Sequence, residues 1–360
     1  MNLRRLYDEF GQSPWLDNLR RDALVDGSLS AAIDRGVRGL TSNPTIFQKA
    51  ISSSTLYDEQ YSDLVSSGAS VEDAYWELVI SDIVAACDTF SVVHTQSRGT
   101  DGFVSVEVSP ALCHDTAGTV AAAKELHRRI DRPNVMIKIP ATDAGLSAIT
   151  DVVGAGISVN VTLIFGLSRY RQVMEAHRRG IEHLAKKHPD RLSSTASVAS
   201  FFISRVDNAV DPLLEPHAVA VGRTAIAQAK VAYREFVDRT ADAAWKLLAT
   251  RGAQEQRPLW ASTSTKNPSF SSTLYVDELI GPRTVNTLPD ATLEAFAATG
   301  TLARTIDLDV EHAQSHLARV SESGIDLDSV ARRLEAEGLA SFQASFDDLL
   351  SALSAKRPGR

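Results

Sequence analysis

Lys138 is the residue of this sequence whose position most strongly suggests chemistry. It lies within Val135–Pro140, a short apolar run of the kind that forms a buried strand. Burying a charged amine is costly unless it is paired, and desolvation favours the neutral amine, which is a nucleophile. Such an amine can form a Schiff base with a carbonyl substrate. The alternative at this point is a structural lysine that pairs with one carboxylate inside the fold.

Two carboxylates are predicted to share a cavity with Lys138: Glu107 on the preceding strand and Asp17 on the first. A lysine amine that attacks a ketone loses water to form an iminium, which accepts electrons when the adjacent C–C bond breaks. Dehydration and cleavage both require proton transfer, which carboxylates of tuned pKa can supply. Taken singly, Asp17 could instead cap a helix, and Glu107 could simply pair with Lys138.

Strand-like segments alternate with alanine-rich helical segments over most of the chain. Eight such units predict a (β/α)8 barrel, a fold that usually takes roughly 250 residues. We therefore expect one domain over residues 1–360, with the barrel at approximately 13–290 and a helical extension packed on it at approximately 291–355. Residues 357–360 are expected to fray. The predicted strands are 15–18, 39–42, 102–109, 134–140, 157–165, 195–202, 258–266 and 284–287, and the helices include 120–129, 169–186, 224–250, 310–323 and 328–354.

A doubly wound sheet also alternates strands with helices, but the polar pattern of these strands favours a barrel. Strands covered on both faces of an open sheet read as continuous apolar runs, whereas several strands here alternate polar and apolar residues. In a barrel the polar faces converge on the axis, near the carboxyl ends where barrel enzymes bind substrate. Ordinary solvation of a one-sided sheet is the alternative. The polar residues that share a face are Ser105, Glu107 and Ser109; Asn160 and Thr162; and Ser262, Ser264 and Lys266.

The composition excludes several classes of protein. A net charge of −8 and a pI near 5.6 argue against a general surface for nucleic acid or anionic membrane. Cys87 and Cys113 are too few for a disulfide framework or a CxxC metal site. His312 and His316 lie four apart on a predicted helix, but they lack a third ligand, so no metal site is predicted. No stretch is apolar over the length that a signal peptide or membrane helix requires, which predicts a cytoplasmic protein.

Seven motifs in barrel order resemble those of the transaldolase family, and the resemblance spans nearly the whole chain. The family's Schiff-base lysine corresponds to the Lys138 motif, and the other six motifs fall on or beside predicted strands. The motifs are Ser-Pro-Trp-Leu-Asp17-Asn, Gly39-Leu-Thr41-Ser-Asn43-Pro-Thr, Val106-Glu107-Val, Met136-Ile-Lys138-Ile-Pro-Ala-Thr, Asn160-Val-Thr162-Leu-Ile-Phe, Ser200-Phe-Phe-Ile-Ser-Arg205-Val-Asp and Trp260-Ala-Ser-Thr-Ser-Thr-Lys266-Asn-Pro.

The resemblance implies a role for each matched residue, with no cofactor and no metal. Lys138 would form the Schiff base, and Asp17 would move the proton at the breaking bond. Glu107 and Thr162 would hold the water of dehydration. Hydroxyl groups of the retained fragment would be bound by Asn43, Asn160 and Ser200, and the phosphate by Arg205. The implied substrate-binding set is Thr41, Asn43, Asn160, Ser200, Arg205, Ser264 and Lys266.

Two residues near the implied phosphate site, Lys266 and Phe202, need separate comment. Many members of the family use a second arginine where Ser264-Thr265-Lys266-Asn267 stands. Lysine binds phosphate as a point charge and lacks the bidentate fork of arginine, so Lys266 should orient the phosphate less strictly. Phe202 is expected to pack under the pocket.

The activity implied by the resemblance is transfer of a dihydroxyacetone unit in the non-oxidative pentose phosphate pathway. The donor would be sedoheptulose 7-phosphate or fructose 6-phosphate, and the acceptor glyceraldehyde 3-phosphate or erythrose 4-phosphate. Asp17 favours this transferase over the related fructose 6-phosphate type of class I aldolase. A catalytically silent barrel that binds sugar phosphates is the other alternative, although it would not need Lys138, Asp17 and Glu107 together. The expected state is a monomer or homodimer.

Overall fold

Eight parallel strands form a closed barrel in the computed structural model, which describes residues 2–356. Each strand pairs with its neighbours in chain order, and β1 also pairs with β8 to close the ring. This confirms the predicted (β/α)8 barrel. The strands are β1 (Gln12–Leu16), β2 (Leu40–Thr41), β3 (Val104–Glu107), β4 (Val135–Pro140), β5 (Val159–Ile164), β6 (Ser197–Phe202), β7 (Gln256–Ala261) and β8 (Thr284–Leu288).

Helices surround the barrel and extend beyond its last strand. Within the described residues they are α1 (Asn2–Phe10), α2 (Arg21–Val25), α3 (Ser28–Arg35), α4 (Pro44–Ser53), α5 (Asp58–Ser66), α6 (Val71–Gln96), α7 (Thr116–Ile130), α8 (Asp143–Gly154), α9 (Leu167–Lys187), α10 (Ser204–Leu214), α11 (Thr224–Ala241), α12 (Ala243–Ala249), α13 (Leu274–Asp277), α14 (Asp290–Thr299), α15 (Val310–Glu322) and α16 (Leu327–Ala355).

The single helix predicted over residues 224–250 is wrong, because the structure has two helices there. α11 ends at Ala241, and Asp242 adopts an extended backbone conformation. The Asp242 carboxylate accepts a hydrogen bond from the backbone N–H of Trp245 at 2.7 Å, so it caps the new helix α12. Aspartate is a common N-cap residue, so Asp242 indicates the start of a second helix. The alanine-rich sequence on both sides of it instead suggested one continuous helix.

The interior of the barrel carries a polar layer, which explains the alternation seen in the sequence. Asn160 on β5 donates a hydrogen bond to Ser105 on β3 at 3.0 Å and accepts one from Ser200 on β6 at 2.7 Å. All three side chains are buried. Buried polar groups of this kind are tolerated because they bond to one another. The apolar residues that alternate with them face the surrounding helices.

Strand β7 is shorter at its carboxyl end than the predicted segment 258–266. It ends at Ala261, and Ser262 adopts a left-handed backbone conformation with φ of 57°. A left-handed residue turns the chain out of the sheet, so Ser264 and Lys266 lie in the loop after β7. The prediction that Ser262, Ser264 and Lys266 share a strand face is therefore wrong.

Helix α6 contradicts the sequence-based conclusion that no stretch is long and apolar enough to span a membrane. An 18-residue window of α6 has a mean hydropathy of 1.4, and half of that window is buried in the fold. Asp82 in this helix is buried and pairs with Arg21 at 2.7 Å. Core helices of globular proteins pass the same test of length and composition, so this helix is weak evidence for a membrane span.

Helix α16 lies across the carboxyl end of the barrel, where it contacts α4, α6, α10 and β5. The predicted tail helices at 310–323 and 328–354 correspond to α15 and α16. Ser345 bonds to Thr45 at 2.8 Å, and the Phe346 and Tyr75 rings meet edge to face with centroids 5.2 Å apart. The predicted fraying of residues 357–360 lies outside the described residues.

Candidate active site

A cavity of about 370 Å³ opens at the carboxyl ends of the strands, beneath α16. Nine of the eleven predicted site residues line it, whereas Glu107 and Asn160 lie deeper in the barrel interior. The nine are Asp17, Thr41, Asn43, Lys138, Thr162, Ser200, Arg205, Ser264 and Lys266.

Lys138 and Glu107 form a buried pair at the base of this cavity. They are direct partners in the register of β3 and β4, so both side chains point to the barrel axis. Lys138 Nζ lies 3.3 Å from Glu107 Oε2 and donates a hydrogen bond to the carbonyl of Ser42 at 3.2 Å. Burial raises the pKa of Glu107, and the Lys138 charge opposes that rise. A carboxylate held in this way can exchange a proton with groups on the lysine nitrogen.

Asp17 occupies the rim of the cavity, directly after β1. Its Oδ1 accepts a hydrogen bond from Thr41 Oγ1 at 2.7 Å, and the same hydroxyl lies 2.7 Å from Thr287 Oγ1. These contacts link β1, β2 and β8 and fix the carboxylate. Desolvation raises the pKa of Asp17, while Lys138 opposes the rise. A carboxyl group with a raised pKa is suited to give and take protons near neutral pH.

Thr162 is a buried hydroxyl whose Oγ1 has no hydrogen-bond partner among residues 2–356. Glu107 Oε2 faces Lys138 Nζ at 3.3 Å as an ion pair and has no other partner among these residues. Thr162 precedes Leu163, which has a φ of 61°. The register of β5 and β6 shifts between Val161 and Ile164, so the strand bulges at this point. Bulges next to active sites re-aim side chains. Because buried polar groups normally find partners, the Thr162 oxygen marks a place for a polar ligand.

Asn43 and Ser200 contribute polar groups from two different elements. Asn43 Oδ1 caps α4 by accepting a hydrogen bond from the backbone N–H of Ile46 at 2.9 Å, and the residue also lines the cavity. Ser200 lines the cavity and donates to Asn160. Asn160 is fully buried and does not line the cavity.

Three cations line the upper part of the cavity: Arg205, Lys266 and Lys49. None of them forms an ion pair in the part of the chain that the structure describes, although most arginines elsewhere do. Lys266 Nζ lies 3.2 Å from Ser264 Oγ, and the Arg205 guanidinium lies 5.4 Å from the ring centroid of Phe202. Burial lowers the pKa of Arg205, and the Asp17 carboxylate opposes this effect. Unpaired cations converging on one cavity make a site for an anion.

Sequence reasoning missed the residues that helices α4 and α16 contribute to the cavity. Lys49 and Thr45 come from α4, and Ser341 and Phe342 come from α16. Nothing in the spacing distinguishes Lys49 from an ordinary surface lysine, and Phe342 falls on the apolar stripe of an amphipathic helix. Phe202, expected to pack under the pocket, packs against Phe165 and also lines the cavity.

Of the two histidines considered as metal ligands, His312 is exposed to solvent. His316 is buried, and its Nε2 lies 3.1 Å from Thr224 Oγ1. Across the described residues no group of three or more histidine, cysteine or acidic side chains is arranged to hold a metal ion.

A parallel barrel with a buried lysine on β4, a glutamate beside it on β3 and a second carboxylate after β1 has the groups that a barrel enzyme needs to form a Schiff base with a carbonyl substrate. A sequence model described as "Transaldolase/Fructose-6-phosphate aldolase" matches residues 14–353. The chain belongs to the transaldolase/fructose-6-phosphate aldolase family.

Relatives cover the chain almost end to end. The chain is 46% identical to transaldolase 1 of Streptomyces avermitilis over 366 residues, which cover 100% of this chain and 96% of that protein. It is 48% identical to a transaldolase of Frankia alni, over 96% of this chain and 94% of the relative. The chain is also 47% identical to transaldolase 1 of Streptomyces coelicolor, over 98% of this chain and 94% of that protein.

Proposed function

We propose that this chain transfers a dihydroxyacetone unit from fructose 6-phosphate or sedoheptulose 7-phosphate to glyceraldehyde 3-phosphate or erythrose 4-phosphate. The activity is that of a transaldolase, since relatives named transaldolase match nearly its full length. The reaction belongs to the non-oxidative pentose phosphate pathway, and a cytoplasmic location stays a prediction. The observation that carries the proposal is the buried Lys138–Glu107 pair at the base of a cavity lined by unpaired cations.

In the proposed mechanism, Lys138 attacks the ketone carbon of the donor, and loss of water gives an iminium. Glu107 and Thr162 hold the water that leaves, which is supported by the unpartnered hydroxyl of Thr162 and by the position of Glu107 beside Lys138. Asp17 then accepts the proton of the hydroxyl next to the breaking bond. The C–C bond electrons move into the iminium, which leaves an enamine on Lys138 and releases an aldose phosphate. The acceptor aldehyde is attacked by this enamine in the reverse sequence.

Binding of the retained fragment is assigned to the polar groups around the lysine. Asn43 and Ser200 line the cavity and reach the substrate hydroxyls, while Asn160 orients Ser200 through its 2.7 Å hydrogen bond. Thr41 acts mainly on Asp17, which it holds at 2.7 Å. Retention of the fragment until an acceptor arrives is what separates a transferase from an aldolase.

Phosphate binding is assigned to Arg205 and Lys266, with Lys49 as a third cation and Ser264 as a neutral partner. Arg205 is half-buried and offers a planar fork, whereas Lys266 and Lys49 are exposed point charges. A second lysine compensates for the arginine that many family members have where Lys266 stands. The three cations come from α10, the loop after β7 and α4, so they approach the phosphate from different sides.

Lys49→Gln is expected to raise the KM for fructose 6-phosphate about fivefold and to leave kcat nearly unchanged, since an exposed charge-assisted hydrogen bond contributes about 1 kcal/mol. Steady-state kinetics with a fixed concentration of erythrose 4-phosphate would measure this. Lys187→Gln, an exposed lysine on α9, is the matched control and should change neither constant. Equal KM values in the Lys49→Gln variant and the wild type would remove Lys49 from the phosphate site.

The proposed function is tested by incubating the protein with fructose 6-phosphate and borohydride, which reduces an iminium to a stable amine. A dihydroxyacetone adduct mapped to Lys138 supports the mechanism, and no adduct on folded protein contradicts it. Omitting the acceptor then separates the two family activities. A transaldolase should release one equivalent of aldose phosphate for each site and stall, whereas an aldolase should turn over and release dihydroxyacetone.

A further inference from the structure

Phe342 is the aromatic side chain that α16 places nearest to the reacting lysine. Lys138 Nζ lies 5.8 Å from the centroid of its ring, and the residue is 5% exposed. Phe342 lines the same cavity as Asp17 and Lys138. Because α16 lies outside the carboxyl ends of the strands, the ring approaches the amine from the mouth of the barrel.

The position of the ring is set by the helix on either side of it. Gly338, one turn earlier, lies so close to the barrel that an added Cβ would come 2.9 Å from a methyl carbon of Leu163 and 3.5 Å from Arg205 Nη1. Phe346, one turn later, packs edge to face on Tyr75. Residues four apart share one face of a helix, so this face of α16 is held at two points with Phe342 between them.

We propose that Phe342 sets the ratio of transfer to hydrolysis by shielding the nitrogen-bound intermediate from water. This inference rests on the proposed function of Lys138. Loss of the fragment requires protonation of the enamine carbon to an iminium, attack of a water oxygen on the iminium carbon, and cleavage of the C–N bond. The products are dihydroxyacetone and the free lysine amine, so no oxidant or reductant is needed.

Two properties of the ring act in the same direction. An apolar ring over the nitrogen occupies space from which a water molecule would attack. A ring face within about 6 Å of a cation also stabilises that cation, which makes the iminium carbon a weaker electrophile toward water. Phe342 lies beside the reacting nitrogen and has no proton to exchange, so it governs the fate of the intermediate rather than its formation.

The test compares Phe342→Ala with Phe342→Leu, which keeps an apolar side chain over the amine. Release of dihydroxyacetone from fructose 6-phosphate without acceptor is measured against transfer to erythrose 4-phosphate. We expect the hydrolysis-to-transfer ratio to rise about tenfold in Phe342→Ala, in line with the loss of a desolvated cation–π contact. The ratio should stay within about twofold of wild type in Phe342→Leu if exclusion of water dominates, and should rise partway if the ring face contributes.

Phe346→Ala controls for displacement of the helix, because it removes the same ring one turn away from the amine. An unchanged ratio in folded Phe342→Ala, or an equal rise in Phe346→Ala, would overturn the role of the Phe342 ring. Borohydride trapping with dihydroxyacetone keeps the two proposals separate. Wild-type protein without an adduct refutes the Schiff-base function itself, whereas an adduct with an unchanged ratio refutes only the shielding by Phe342.

Discussion

Lys138→Met is expected to abolish transfer, with kcat reduced at least about 10⁴-fold, because loss of a covalent nucleophile removes the reaction path it supports. Methionine matches the length of the lysine stem and carries no amine, so neither the iminium nor the borohydride-trapped adduct should form. The measurement is transfer from fructose 6-phosphate to erythrose 4-phosphate, together with peptide mapping after reduction.

The matched control for this variant is Lys230→Met, which removes another buried lysine. Lys230 donates to the carbonyl of Leu308 at 3.2 Å and lies 3.8 Å from Glu278, away from the cavity. This variant should lose stability but keep its adduct on Lys138. Circular dichroism would show whether both variants fold. Wild-type turnover in Lys138→Met, or an adduct that persists on another residue, would contradict a Schiff base on Lys138.

Asp17→Asn is expected to lower kcat by about 10² to 10⁴-fold while the Schiff base still forms, since general acid–base groups contribute this much. Asparagine can keep the hydrogen bond from Thr41 through its carbonyl oxygen, so the geometry is preserved and only the proton transfer is lost. Single-turnover release of the aldose phosphate measures cleavage, and borohydride trapping of dihydroxyacetone measures formation of the Schiff base.

Asp290→Asn is the control for the charge around Asp17. Asp290 lies near enough to raise the pKa of Asp17, yet it does not line the cavity. Its replacement should alter kcat less than twofold at neutral pH. If cleavage in Asp17→Asn stays close to the wild-type rate, Asp17 has only a structural role at the end of β1.

The pH profile of kcat offers a separate check on Asp17. Cleavage requires the ionised carboxylate, so activity should rise with pH through the pKa of Asp17. Desolvation raises that pKa, which places the acid limb above the value of about 4 that an ordinary aspartate would give. This limb should be missing from the residual activity of Asp17→Asn. A wild-type limb at or below pH 4 would contradict the raised pKa.

The barrel could be predicted because polar and apolar residues alternate along its strands. Ser105 and Asn160 face the axis and bond to each other, which is what the alternation indicates when a parallel sheet closes. The alternation of polar and apolar residues gave a wrong prediction after Ala261. It continues in the sequence, but the left-handed backbone of Ser262 ends the strand. Periodicity reports which face a residue would occupy in a strand, and it does not report where the strand stops.

The helical side of the cavity could not be predicted, for a different reason. Lys138 and Glu107 are conspicuous because charged residues rarely occur in buried strands, and Asp17 directly follows such a strand. Lys49 and Phe342 are ordinary for their helices, and only the packing of α4 and α16 over the barrel brings them to the cavity. Packing between elements distant in sequence leaves no local pattern. The contribution of α16 to the cavity therefore follows only from the three-dimensional structure.

The pairing of β1 with β8 has a consequence for folding. Asp17 is held through Thr41, whose hydroxyl also meets Thr287 on the last strand, so the carboxylate is positioned only when the barrel has closed. Contacts between residues far apart in sequence form slowly, because the chain must lose much of its conformational freedom first. Local βα units could regain their secondary structure early in refolding. Recovered enzyme activity would then report the final closure of the ring.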